Sequence, residues 1–314
     1  MTYKQRLICL LSLITVLVLV YIGSFVFSYE SGNTRSASYV WLDQNTAQRT
    51  NRITINNMWE EFELSKNNDQ WFIHYNDSEY PARQVRIEDF ISVFTTRSSW
   101  PVRSTSASSH DRFGLDDKAS RVTFYNDYSV LLDLFLGDDD IMGRETFIRK
   151  VGQNEVRSGD NSVDSYIYGP VTNWYNLRLI PESESGRIGL NNVQRLTVYN
   201  NEETQIFTRR NRVWDITGIT VENPDMSSID NFISFILNAE GEDFLDPSSA
   251  ADITFDHSRF ILEFDDGTVL NIRVSGPNEV NKRFAQVSNS NYTYVIPLWV
   301  SVRIFRSAES FEIQ

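Results

Sequence analysis

Histidine is the commonest general base and metal ligand near neutral pH, and the chain holds three: His74, His110 and His257. They lie far apart in sequence, so neither H-E-x-x-H nor H-x-H spacing arises. His74 has the strand parity opposite to Trp71 and Ile73 and is expected to face solvent. His110 ends the serine-rich stretch Ser104 to Ser109, and His257 lies near a turn. The one cysteine, Cys9, excludes an intramolecular disulfide or a thiolate cluster. Acidic neighbours occur at Asp116-Asp117, Asp138-Asp139-Asp140 and Asp265-Asp266. Adjacent carboxylates can ligate Ca²⁺, but the spaced acids, central glycine and closing glutamate of an EF-hand are missing, so solvated turns are expected. No G-x-S-x-G elbow, S-x-x-K or phosphate loop appears. The reading is therefore non-enzymatic, with no cofactor and no metal.

These side chains sit in a chain of 314 residues with 42 acids against 29 Lys and Arg, a formal net charge of -13. Nucleic acid is not an expected partner, because phosphate binding needs clustered cations. From Leu7 to Tyr29 there is no charge, and as a helix this run spans about 34 Å, enough for the hydrocarbon core. Lys4 and Arg6 precede it and Glu30 follows, which places the N-terminus in the cytoplasm and the remainder outside it. The rival is a cleaved signal peptide, but this run is longer and ends in bulky Phe25, Val26, Phe27 and Tyr29. The expected layout is a stub (1–6), a transmembrane helix (7–29) of the inner membrane, a polar linker (30–50) and an extracytoplasmic, periplasmic region.

That region repeats itself at an offset of about 142 residues. Arg52-Ile53-Thr54-Ile55 resembles Arg195-Leu196-Thr197-Val198. The strand ending Trp71-Phe72-Ile73 resembles Trp214-Asp215-Ile216. Ile87, Phe90, Ile91 and Phe94 match Ile229, Phe232, Ile233 and Ile236, and both sets form one helical face. Ser227 and Asp230 give an S-x-x-D start signal. The segments before each helix alternate with period two, as half-buried strands do, with Asn67-Asn68-Asp69 as a turn. Further along, Phe113-Gly114-Leu115-Asp116 and Val122-Thr123-Phe124 pair with Phe244-Leu245-Asp246-Pro247 and Ile253-Thr254-Phe255. The closing segments Tyr166 to Tyr168, Trp174 and Leu177 to Ile180 pair with Tyr294 to Ile296, Trp299 and Val302 to Phe305. The fold class is α+β: two tandem homologous modules, 51–185 and 186–314, each an antiparallel sheet with a packed helix. One merged domain is the alternative.

The layout resembles the domain of unknown function 4340 family, bacterial proteins with one N-terminal membrane helix and an extracytoplasmic region. Three places carry the resemblance: the strands ending in Trp71 with the Phe90 helix; Phe113-Gly114-Leu115-Asp116; and Leu134-Phe135-Leu136-Gly137 followed by Thr146-Phe147-Ile148-Arg149. The second copy departs from it, with Leu245 in the glycine's place. The resemblance implies an accessory component of ABC-type export systems, including gliding-type auxiliary proteins. It implies ABC-transporter permease or auxiliary subunits as partners, and it brings no catalytic residue.

Trp71, Trp174, Trp214 and Trp299 recur at matched places, which argues for core packing, as does the recurrence of Phe90 and Phe232. Arg178 and Arg303 recur inside apolar segments and are expected to fix the end of each unit. Trp59, Trp100 and the loop bearing Ser104, Ser106 and His110 have no counterpart, so a partner surface is expected there. Two functional readings stand: an anchored scaffold of a transport system, or a module binding an envelope glycan or peptide. A hydrolase with an unrecognised site is a third.

Overall fold

The computed structural model describes Thr15 and residues 38–180, 188–200 and 203–313. The expected stub, the expected membrane helix apart from Thr15, and the first part of the expected linker lie outside the described residues. Among the described residues no helix is long and apolar enough to cross a membrane. The architecture is α+β, and every strand pairing is antiparallel. The chain divides into two compact units, Met1–Tyr175 and Asn176–Gln314.

The first unit opens with a short ladder, β1 (Ser38–Tyr39) on β6 (Ser98–Ser99). Its main sheet uses β2 (Arg52–Asn56), β3 (Glu61–Asn67), β4 (Gln70–Tyr75), β5 (Ser78–Pro81) and β7 (Val102–Ser104). β8 (Ser120–Asn126), β9 (Ser129–Asp139), β10 (Glu145–Lys150) and β11 (Val156–Asp160) complete it. Their spatial order is β5-β4-β3-β2-β8-β9-β10-β11-β7. Alternation buries Ile53, Ile55, Phe62, Leu64, Trp71 and Ile73 on one face. The β3–β4 turn places Asn68 and Asp69 at φ of 48° and 63°, left-handed values that Asn and Asp tolerate. The Gln84–Thr95 helix presents Ile87, Phe90 and Phe94 to this face, all fully buried. Phe90 stacks on Phe124 at 5.8 Å and meets Trp174 edge-on at 5.3 Å.

The expected linker is shorter than 30–50. Trp41 and Leu42 are buried, and both backbone N–H groups donate to the Phe94 carbonyl at 3.1 Å. Asp43 then caps a short helix, Gln44–Ala47, by accepting from Thr46 N at 3.0 Å. Apolar side chains inside a polar stretch are what bring this segment onto the unit.

The three family-like segments converge. Gly114 ends a 3-10 turn, Asp111–Phe113, at a left-handed φ of 63°. A Cβ on Gly137 would stand 2.1 Å from the Phe113 carbonyl oxygen, so only glycine permits this approach. Arg149 donates from Nε and Nη2 to the Leu115 carbonyl at 3.3 and 3.1 Å and stacks on Phe135 at 4.4 Å. Phe113, Leu115 and Val156 form a buried cluster there, with Phe135 and Phe147 against it. These residues hold the turn to the sheet.

The second unit is built from β12 (Val193–Asn200), β13 (Glu203–Arg210), β14 (Val213–Thr217), the Met226–Leu237 helix and β15 (Asp243–Leu245). β16 (Ser258–Phe264), β17 (Val269–Val274), β18 (Arg283–Val287), β19 (Thr293–Ile296) and the Leu298–Ile304 helix follow. Its order, β14-β13-β12-β16-β17-β18-β19-β15, reproduces the first sheet from β4 to β7. Ile229, Phe232, Ile233 and Ile236 are buried as expected. Asp265-Asp266-Gly267-Thr268 joins β16 to β17, with Gly267 at φ 85°.

Four sequence-level details are corrected. The unit boundary falls at Tyr175/Asn176, not 185/186: Leu179 N donates to the Ala239 carbonyl and Gly241 N to that of Leu177, so this strip belongs to the second unit. Ile253-Thr254-Phe255 is irregular; the ladder places Phe260, not Ile253, where Val122 stands in the first sheet. Tyr294 to Ile296 lies in a strand, whereas Tyr166 and Ile167 lie in a helix, Asp164–Ile167. The N-cap of the Met226–Leu237 helix is Asp225, which accepts from Ser227 N at 3.0 Å. Asp230 instead accepts from Trp214 Nε1 at 2.7 Å and ties the helix to β14.

Candidate functional site

The residues expected to form a partner surface do not form one site. Trp59, in the β2–β3 turn, is 57% exposed and leans edge-on toward Tyr168 at 6.3 Å. Asn57 shapes this turn: its Oδ1 accepts from Trp59 N and Glu60 N, and its Nδ2 donates to the Ile167 carbonyl at 2.8 Å. Trp100 is only 2% exposed, so its ring belongs to no surface. It lies edge-on to Trp41 at 5.3 Å and covers Gly159, where a Cβ would stand 2.1 Å from the indole. Ser104 and Ser106 do meet: Ser104 Oγ accepts from Ser106 N at 3.1 Å and from Ser109 Oγ at 2.6 Å. His110 Nε2 contacts the Asn154 carbonyl at 3.2 Å. The serines of this loop thus hydrogen-bond to one another, and His110 ties its end to Asn154.

Of the recurring aromatics, Trp71, Phe90, Trp174, Trp214 and Phe232 are core. Trp299 is not; it is 63% exposed. Arg178 donates from Nη2 to the Leu237 carbonyl at 3.3 Å and to Asn238 Oδ1 at 3.1 Å, where a cation suits the C-terminus of the Met226–Leu237 helix. It therefore anchors the start of the second unit and does not close the first. Arg303 lies over the Phe235 ring at 4.1 Å. The two arginines are not equivalent, because one sits on an extended strip and the other on a helix.

The Leu298–Ile304 helix carries an exposed apolar face. Val300, Ser301 and Ile304 face inward and are buried. Leu298, Trp299 and Val302 repeat the same spacing on the outer side, at 44%, 63% and 60% exposure. Pro297 precedes the first turn, and the Phe305 N–H closes the last on Ser301 O at 2.9 Å, so the helix is fixed at both ends. Trp299 stands 6.0 Å from Phe235, and a cleft of about 370 Å³ opens beside them, lined also by Asn238, Glu242 and Pro297. A helix apolar on both sides needs a second apolar neighbour. The run Leu298 to Phe305 carried that signal in the sequence.

A polar cluster of the first unit also escaped the sequence reading. Thr146 Oγ, fully buried, lies 3.0 Å from Asp139 Oδ1 and 2.8 Å from Asp164 Oδ1. One hydroxyl proton serves one carboxylate, so both contacts are satisfied only when the other carboxyl keeps its proton and donates to Oγ. Burial, then the hydrogen bond with Asp139, pushes the Asp164 carboxyl up to about 7. Tyr168 donates to the Gly137 carbonyl at 2.8 Å, and burial, followed by the nearby Asp164, Asp139 and Asp138, pushes its phenol up to about 12. Raised carboxyls occur in acid–base sites, but these oxygens are spent on Thr146 and pin the Asp164–Ile167 helix to β9 and β10. Among the described residues no group of three or more His, Cys, Asp or Glu side chains is placed to hold a metal ion.

A family model described as Domain of unknown function (DUF4340) matches residues 71–258, more than half of the chain. No curated protein and no solved structure matches it.

Proposed function

We propose, from the premise that the chain belongs to the family described as Domain of unknown function (DUF4340), that it is a non-enzymatic accessory or scaffold component of an ABC-type transport system. In this reading residues 7–29 anchor it in the inner membrane, with the N-terminus cytoplasmic. Two tandem copies of one module, whose sheets share an order of eight strands, stand on the extracytoplasmic side. The observation that carries the reading is the exposed apolar face of Leu298, Trp299 and Val302 on a helix held at both ends. Burying the part of each side chain that is still exposed is worth roughly 1 kcal/mol, so this face contributes the apolar centre of a wider interface. The occupant is a transporter permease or auxiliary subunit. A second reading, an envelope glycan or peptide ligand, draws on the cleft beside Trp299.

The test is co-purification from gently solubilised native membranes. Val302→Asp in the full chain is expected to abolish recovery of transporter subunits while leaving the melting temperature unchanged. Recovery of the same subunits with Val302→Asp and with Trp299→Ser would refute docking through this face.

A further inference from the structure

The outer face of the second sheet carries two arginines side by side. β16 and β17 pair with Arg259 directly opposite Arg273. Like charges at such positions disfavour the sheet. With acids outnumbering bases 42 to 29, a neutralising carboxylate would be easy to supply. Yet among the described residues neither guanidinium takes part in an ion pair. Arg259 lies over the Tyr199 ring at 4.1 Å, and Arg273 Nη2 donates to Gln286 Oε1 at 2.8 Å. Each has five N–H donors, so most remain free. Both side chains line a cleft of about 660 Å³ with Asn271, Gln286, Ser288 and Ser290, a volume in the range of small-molecule sites.

The first sheet shows what this arrangement lacks. In its ladder Arg121 stands opposite Phe135, and Thr123 opposite Asp133. In the second ladder the corresponding pairs are Arg259 opposite Arg273, and Ile261 opposite Asn271. The same frame holds on the neighbouring strands, where Ile55 opposite Val122 corresponds to Val198 opposite Phe260. In the first sheet Asp133 clamps Arg121, accepting from Nε at 2.9 Å and from Nη2 at 2.6 Å. In the second the residue in Asp133's place is the amide Asn271, whose Oδ1 is buried and takes no hydrogen bond among the described residues, and Phe135 is replaced by Arg273. One substitution removes a negative charge and the other adds a positive one, at adjacent positions of one face.

We propose that the Arg259–Arg273 cleft binds a phosphate oxyanion, the phosphoryl end of a soluble organophosphate or of a lipid headgroup. A phosphomonoester carries about two negative charges near neutral pH, which balances two guanidinium groups, and each planar fork can take two of its oxygens. Asn271, Gln286, Ser288 and Ser290 supply amides and hydroxyls around it.

The test is calorimetry on the full chain in phosphate-free detergent, at fixed ionic strength, with glycerol 3-phosphate and with dihexanoyl phosphatidic acid. The decisive variant is Asn271→Asp, which installs the carboxylate that the first sheet has. It relieves the arginine pair, so its melting temperature is expected to equal or exceed that of the unmodified chain, and lost binding cannot be assigned to unfolding. Its affinity is expected to fall by about tenfold or more, as is that of Arg273→Gln. Binding of both probes identifies a soluble phosphate ligand; binding of the phosphatidic acid alone identifies a lipid. Absence of heat with both probes, or affinities unchanged in both variants, would overturn the proposal.

Discussion

Replacing Asp164 with asparagine should flatten the pH dependence of the first unit's stability. The folded state raises this carboxyl from 3.8 to about 7. The folded chain thus holds a proton that the unfolded chain releases near pH 4, and stability present at low pH is lost as pH climbs through about 7. Undiluted, that rise corresponds to about 4 kcal/mol at ~1.4 kcal/mol per unit. Asp164 is half-buried, and solvent screening reduces the figure to about 1–2 kcal/mol. The loss accrues from about pH 4 to about pH 7, so about two-thirds of it falls between pH 5 and pH 8, which for a unit of this size is a fall of roughly 1–5 °C in melting temperature. Asp164→Asn keeps the shape and supplies a permanent donor to Thr146 Oγ, so its two melting temperatures should lie closer together by that amount. Differential scanning calorimetry at both pH values measures it. Equal pH dependence in the two proteins would refute the shared-proton reading of Asp139, Thr146 and Asp164.

Two pairs of substitutions test the packing. Gly159→Ala drives a Cβ to 2.1 Å from the Trp100 ring; denaturant unfolding should show a loss of about 1–3 kcal/mol, and adding Trp100→Ala should cost less than the two losses summed. Trp174→Ala should cost about 3–5 kcal/mol, whereas Trp299→Ala should stay within about 0.5 kcal/mol. Similar costs at both positions would contradict their assignment to core and surface.

Local periodicity made the elements legible. Period-two alternation in Ile53 to Ile73 and the helical spacing of Phe90 and Phe232 need only neighbouring residues to be read, and both appear in the structure. The errors arose where burial is decided by distant chain. Trp100 is covered because Gly159 on β11 leaves room for its ring, a relation that no local pattern encodes. Ile253 to Phe255 resembles a strand in its residue types, but the second unit forms that strand at Ser258–Phe264. The Arg259–Arg273 pair and its contrast with Arg121–Asp133 depend on ladder register, and two of those residues, Arg259 and Arg273, lie on different strands. The Asp139–Asp164 cluster joins a strand end to a helix through a third residue, Thr146, so composition alone showed only an acidic turn.

Docking through the Leu298–Ile304 helix is tested most directly by a photo-crosslinking amino acid at Val302 in intact native cells. The same residue at Tyr128, 97% exposed in the first unit, serves as the control. Mass spectrometry of the adducts is expected to identify a transporter permease or auxiliary subunit from position 302 and none from position 128. No transporter adduct at 302, or the same adducts from both positions, would contradict the account.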